Sequence, residues 1–195
     1  MPQDRRQGKV FGYSEIALLA IFSGLSIMLH IFQWPYPLAT FLKFDLAGVP
    51  IAVLTLLNMR LGLISLLIFW IGSVALTTDP TKVIGPTMKV VAEASTALPL
   101  ALAIKALGKA LKNQYASLAA FTVSLISRVS ITTLLNYLVT PYWLVWAGWL
   151  ESFEAAYKLT LAYLPAIALF NAIVVCYVAS LSLSIFATLK KYFMF

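Results

Sequence analysis

The chain has 195 residues, of which 62% are hydrophobic and 11% charged. A soluble domain carries about 25% charged residues, so this composition excludes an ordinary soluble fold and points to a single domain embedded in a membrane. The net charge of +7 is read as cationic loop ends facing a cytoplasm and anionic headgroups, not as a nucleic-acid surface.

In chain order, the first 14 residues, MPQDRRQGKVFGYS, are polar and basic. The apolar run after them has no small-residue cleavage site before the next polar segment, so a retained first span is expected, not a signal peptide. A helical span needs about 20 apolar residues. Spans are predicted at 15–33, 46–58, 60–77, 86–107, 115–139 and 159–189. The second is short, and Asn58-Met59-Arg60 separates it from the third. Either the two form one long span, or two short ones meet in a tight turn at Arg60. The sixth is long enough to tilt strongly or to extend past the bilayer.

Charge asymmetry sets the orientation. Arg5, Arg6 and Lys9 lie at the N-terminus, and Lys190 and Lys191 at the C-terminus. The positive-inside rule puts both ends in the cytoplasm, which requires an even number of spans. With six spans, Arg60 and the cluster Lys105, Lys109 and Lys112 also fall inside, giving nine Lys/Arg inside against three outside, Lys43, Lys82 and Lys158. The expected fold is therefore an all-α bundle of six transmembrane helices in a cell membrane, with outer loops at 34–45, 78–85 and 140–158. The first and third loops are rich in aromatics and proline. An interfacial belt accounts for Trp143, Trp146 and Trp149. It accounts less well for QWPYP, where two prolines stiffen an aromatic segment suited to cover a binding site.

Lys89, Glu93 and Arg128 fall within predicted spans, where each costs about 2.5–3.5 kcal/mol at a helix centre. Lys89 and Glu93 are four apart, so they share a helix face and can pair or meet a ligand. Arg128 is expected to snorkel to the cytoplasmic interface. Asn136 ends the fifth span, and Asn171 lies deeper in the sixth, after Pro165. An asparagine donates and accepts, so it can read a heterocycle's amide edge; it also joins helices without a ligand. His30 stands alone and makes a poor metal site, and Cys176 is a lone apolar-run thiol. In FLKFDLAGVP, residues 41–50, Asp45 precedes a helix start and can cap its free N–H groups. Lys43 can pair with Asp45 or face a ligand.

Several chemistries have no visible residues. There is no G-x-x-x-x-G-K-[ST] loop, no H-E-x-x-H and no G-x-S-x-G, so neither ATP hydrolysis by such a loop nor common membrane hydrolase chemistry is expected. No catalytic residue, metal site or cofactor is assigned. On the first span, Ala20 and Gly24 form a small-x-x-x-small pair with Ala17 one turn earlier, a pattern that admits a close helix neighbour inside the bundle or outside it.

Taken in order, four segments resemble the substrate-binding (S) component of an energy-coupling factor (ECF) vitamin transporter, most closely its riboflavin-binding group. FLKFDLAGVP resembles the family's LKFD-x-x-x-IP lead-in to the second span. VAEASTALPLALAIKALGK (91–109) is similar to its GE…LP fourth span and basic turn. LLNYLVTPY (134–142) resembles its NY-x-x-x-P end of the fifth span, and YLPAIALFNAIV (163–174) its proline-containing start of the sixth. The resemblance implies a bundle that captures a vitamin from outside, under the loop joining the first two spans. The implied ligand-binding residues are Trp34, Tyr36, Phe41, Lys43, Lys89, Glu93, Asn136 and Asn171. It also implies docking through Ala17, Ala20 and Gly24 to a transmembrane coupling protein served by two ABC-type ATPases. Asn136 matches the family's fifth-span asparagine, whereas Asn171 stands where the riboflavin group has a sixth-span lysine, a departure from its pattern. Riboflavin, a wide neutral aromatic, is the expected ligand. Thiamine or another ringed vitamin is the alternative, and a stand-alone secondary transporter with Lys89, Glu93 and Arg128 along its path is a further one.

Overall fold

The computed structural model describes residues 12–78, 81–108 and 112–193. Arg5, Arg6, Lys9 and Lys109, which enter the expected orientation, lie outside the described residues. The elements in chain order are α1 (Tyr13–Ile31), β1 (Trp34–Tyr36), β2 (Ala39–Phe44), α2 (Gly48–Leu57), α3 (Met59–Leu76), α4 (Ile84–Leu107), α5 (Asn113–Trp146) and α6 (Phe153–Phe193). Five of the six helices are long and apolar enough to cross a membrane; the exception is α2.

At 10 residues, α2 is about 15 Å long, half of a hydrocarbon core. It is apolar all round, as a helix enclosed by others must be. Residues 48–55 are buried without interruption, and α2 packs against α1, α3, α4 and α6. Pro50 falls in its first turn, where a missing N–H costs nothing. The turn into α3 is at Asn58 and not at Arg60. Asn58 is extended (φ −151°, ψ 110°), and its side-chain oxygen accepts from the backbone N–H of Arg60 and Leu61. This is the N-cap role for which asparagine is suited. Its Nδ2 also donates to Glu15 Oε1 at 3.3 Å, joining the turn to the start of α1.

Helices α5 and α6 have 34 and 41 residues, about 50 and 60 Å, and each exceeds the hydrocarbon thickness. α5 continues through Pro141 to Trp146 and α6 begins at Phe153, so only residues 147–152 of the loop expected at 140–158 lie outside helices. The aromatics there keep helical spacing: Trp143 turns inward to Phe41, while Tyr142 and Trp146 are exposed. The helix stops where Gly148 takes a left-handed φ of 74°. Backbone N–H groups of Trp149 and Leu150 fold back there onto the Leu144 carbonyl.

The first outer loop is not irregular. β1 and β2 form an antiparallel hairpin, with Trp34 opposite Phe44 and Pro35 opposite Lys43. Two strands alone are marginal in water, and this pair is supported by aromatic packing on α6. Phe44 and Tyr36 lie 4.7 and 5.4 Å from the Phe170 ring, and Phe41 lies 5.5 Å from Tyr163. The core beneath gathers Ile51, Val53, Phe69, Leu100, Val174 and Val178. Replacing Asn58 with alanine removes the cap at the α2–α3 break and is expected to cost about 0.5–2 kcal/mol. A lowered thermal midpoint in detergent checks this.

Candidate ligand-binding site

A cavity of about 300 Å³ opens at the hairpin end of the bundle, at the lower limit of small-molecule sites. Phe41 and Lys43 of β2 form one wall, and the first turns of α4 with Lys89 form another. Thr132, Asn136, Thr140 and Trp143 come from α5, and Phe170 and Asn171 from α6. The α5 residues are spaced so that each turn presents one side chain to the cavity. Trp143 is pinned at the mouth, where its Nε1–H donates to Thr81 Oγ1 at 3.0 Å, and its ring lies 5.9 Å from Phe41.

The floor is a chain of charges. Asp45 Oδ2 accepts from His30 Nδ1 at 2.8 Å, and its Oδ1 accepts from Lys89 Nζ at 2.9 Å and from the Ala47 N–H at 3.1 Å. Lys89 Nζ also lies 2.9 Å from Glu93 Oε1, the expected i,i+4 pair. Arg128 Nη1 donates to Glu93 Oε2 at 3.1 Å and to Thr96 Oγ1 at 3.0 Å, and its Nε donates to Asn171 Oδ1 at 3.0 Å. Two cations thus face two carboxylates, and the floor neutralises itself. Such a cluster is tolerated in an apolar interior only when its members are paired and hydrogen-bonded. Gly48 permits it, because a Cβ there would lie 2.0 Å from Glu93 Oε2.

Asp45 stands outside the helices. Burial alone would raise its carboxyl pKa, but Lys89 and the His30 hydrogen bond outweigh burial and lower it from 3.8 to about 2. Its contribution to stability is therefore complete above its unfolded value and lost as pH falls through the folded one.

The structure brings Phe41, Lys43, Lys89, Asn136 and Asn171 together on the cavity wall. Trp34, Tyr36 and Glu93 do not reach it. Trp34 is 58% exposed, on the far side of the hairpin in a shallow crevice with Phe44, Leu46 and Tyr177. Tyr36 packs beneath the hairpin against Phe44 and Phe170, and Glu93 lies behind Arg128. Arg128 does not snorkel: it is 1% exposed, because Glu93, Thr96 and Asn171 satisfy its guanidinium within the bundle. Asp45 caps the start of α2 through the Ala47 N–H, while Lys43 makes no ion pair with it. Sequence reasoning placed Trp143 in an interfacial belt, took His30 only as a poor metal site, and passed over Thr132, Thr140 and Phe170. Only the α5 spacing of Thr132, Asn136, Thr140 and Trp143 could have grouped some of them. Ala17, Ala20 and Gly24 are exposed on the outer face of α1, and nothing lies within 4 Å of a Cβ built on Gly24. The small-residue stripe is not used for packing inside this bundle. Among the described residues, no three His, Cys, Asp or Glu side chains gather as metal ligands would.

Arg128→Met leaves Glu93 buried without its main partner and is expected to cost about 3–5 kcal/mol, with the Glu93→Gln/Arg128→Met double variant recovering part of it. Detergent melting curves of the single and double variants check this. The same curves recorded against pH should lose an acid-sensitive component, lying between the ordinary carboxylate range and about pH 2, when Asp45 is replaced by asparagine.

No protein-family model matches the sequence, and no curated protein does. Among solved structures, the chain is similar to one described as "Structure and mechanism of the S component of a bacterial ECF transporter", with a TM-score of 0.71 and 17% identity over 92% of this chain and 96% of that one. The chain shares that fold.

Proposed function

We propose that the chain is the substrate-binding subunit of an ECF-type importer and that its hairpin-end cavity captures a ringed vitamin, with riboflavin the first candidate. The observation that carries this reading is the cavity itself. It is a pre-formed, aromatic-walled space at one end of a membrane bundle, with asparagine and lysine on its walls and a self-neutralised floor that closes it below. Phe41, Trp143 and Phe170 offer ring faces, and Asn136 and Asn171 offer amide groups. The shared fold and the four ordered sequence segments support the same reading. In this orientation the hairpin end faces outward and both termini face the cytoplasm. The subunit binds and delivers; it carries out no chemical step and needs no cofactor.

Energy would then come from partners. The exposed stripe Ala17, Ala20 and Gly24 on α1 suits close approach by a helix of a transmembrane coupling protein, itself driven by two ABC-type ATPases. A stand-alone secondary transporter is less well supported. Lys89, Glu93 and Arg128 are committed to one another and block the floor, so they do not line a path across the bundle.

The purified chain is expected to hold flavin tightly, with flavin absorption in the visible blue and fluorescence that returns on denaturation. Phe41→Ala and Trp143→Ala are each expected to weaken binding about tenfold, near 1.4 kcal/mol. In liposomes the chain alone should accumulate no vitamin. Accumulation without partners would favour the secondary-transporter reading, and a colourless chain that leaves added riboflavin fluorescent would remove riboflavin as the ligand.

A further inference from the structure

The cavity wall holds one group able to change its charge near neutral pH. His30 is the chain's only histidine. It lines the cavity from the last turn of α1, with Gln33 beside it, and its side chain is 15% exposed, so water reaches it. Among side chains, imidazole is the one that ordinarily changes charge between about pH 5 and 8. The inference drawn from it rests on the binding-subunit reading and concerns a proton, not the identity of the ligand.

Two contacts define the state of the ring. The Asp45 carboxyl, lowered to about 2, is ionised, so its oxygens only accept. Nδ1 of His30 therefore carries a hydrogen and donates it to Asp45 Oδ2 at 2.8 Å. Gln33 Nε2 lies 3.1 Å from Nδ1 and 3.4 Å from Nε2 of the ring. An amide nitrogen only donates, so the first approach sets two donors together, and the Nε2 lone pair is the acceptor the ring offers. The neutral ring thus satisfies both neighbours. A protonated ring donates from both nitrogens, and its Nε2–H faces the Gln33 N–H. Relief requires the amide to reverse and present Oε1. Gln33 directly precedes Trp34, the first residue of β1, so that reversal acts on the cavity wall at the root of the hairpin.

The charges around the ring leave it as the variable one. Asp45 and Glu93 balance Lys89 and Arg128, and the four are paired within the floor. From α6 the Tyr177 hydroxyl donates to the Asp45 carbonyl at 2.7 Å, and a phenol is uncharged over this range. From α3 the ring meets Phe69 edge-on at 5.1 Å, which carries no charge. Lys43 and Lys82 stand at the mouth; Asp79 lies outside the described residues. Protonation of His30 therefore takes the floor from balance to a net charge of one. An imidazolium beside an open cavity is solvated. A neutral ligand that fills the cavity displaces that water and raises the cost of the charge.

We propose that His30 is a proton-responsive positioning residue, whose neutral form holds Gln33 and the cavity wall ready for a ligand, so that capture of a neutral ligand releases a proton from the protonated form. In that release the Nε2–H bond breaks, its electron pair stays on the nitrogen, and the proton passes to the buffer. By reciprocity, protonation of the ring weakens capture by the same factor.

The test uses the full chain in detergent, carrying no histidine tag, with riboflavin as the neutral probe. Calorimetric titrations run between about pH 5 and 8. Affinity is expected to fall about fivefold or more toward the acid end. At that end the heat of binding should also depend on the buffer's ionisation enthalpy, as release of up to one proton requires. His30→Asn keeps a donor for Asp45 where Nδ1 stands but does not titrate, and it should flatten both effects. A merely structural role for His30 would change stability and not the proton count. Nitrogen NMR of the single imidazole, in the chain without riboflavin, should show the Nδ1–H tautomer when the ring is neutral. The Gln33 side-chain amide signals should move as the ring titrates. Riboflavin binding that is independent of pH and releases no proton, or that keeps its pH dependence in His30→Asn, overturns the proposal and leaves the binding-subunit reading standing. If riboflavin binds at no pH, the riboflavin reading falls by itself. Gln33 signals that follow the ring then support the proton response, and signals that ignore it overturn the response.

Discussion

The interior of this bundle depends on keeping four charges alive in an apolar surrounding. Asp45, Lys89, Glu93 and Arg128 are linked in series, with His30 at one end and Asn171 at the other. The six residues come from α1, the lead-in to α2, α4, α5 and α6. An unpaired member would carry the full cost of burying a charge, so each helix must be placed where its partner can reach it. That requirement restricts the approach of α2 to α4, where Gly48 leaves room for the Glu93 carboxylate. It also sets the depth at which the cavity ends. Replacing such a cluster with apolar side chains often costs little stability; its consequence here is a polar floor beneath an aromatic chamber.

Above that floor, length mismatch builds the chamber. Helix α2 begins low, while α5 and α6 rise well past it, so their upper turns stand over the start of α2. The hairpin leans into the resulting gap against Phe170 and Tyr163, and Trp143 closes toward it from α5. A hairpin of two short strands would not persist alone. Its aromatic contacts with α6 hold it, and it places Phe41, Leu42 and Lys43 on the cavity while Trp34 lies outside.

The α1 helix faces two ways. Ser23 and Ser26 turn inward and donate to Ser65 Oγ and the Ala47 carbonyl, satisfying polar groups that neither lipid nor core could. Ala17, Ala20 and Gly24 turn outward with little side chain to cover the backbone. One helix therefore meets both the elements that support the cavity and whatever lies beside the bundle. His30, one residue before the end of α1, touches Asp45 directly. The cavity floor and the outward stripe belong to the same rigid rod.

What the sequence alone determined follows from properties that are local to the chain. Apolar runs, cation placement and the spacing of Lys89 and Glu93 need only a helix of 3.6 residues per turn and a bilayer of known thickness. They were enough to read six helices, an i,i+4 ion pair and Asp45 as a cap. The stop at Gly148 was equally local, yet the fifth span was ended at 139, whereas α5 runs on through Pro141 to Trp146, as proline is tolerated inside helices of a packed membrane bundle. Everything that depends on two distant segments meeting was decided by the tertiary structure. Arg128 is 35 residues from Glu93 and 43 from Asn171, and its one-dimensional position near a span's inner half suggested the interface. Only the docking of α5 on α4 and α6 shows that partners wait for it inside. Trp34 and Phe41 likewise lie in one aromatic loop by sequence, and strand pairing sends them to opposite sides. Periodicity and composition describe one element at a time, whereas a buried charge and a cavity wall are properties of several elements held together.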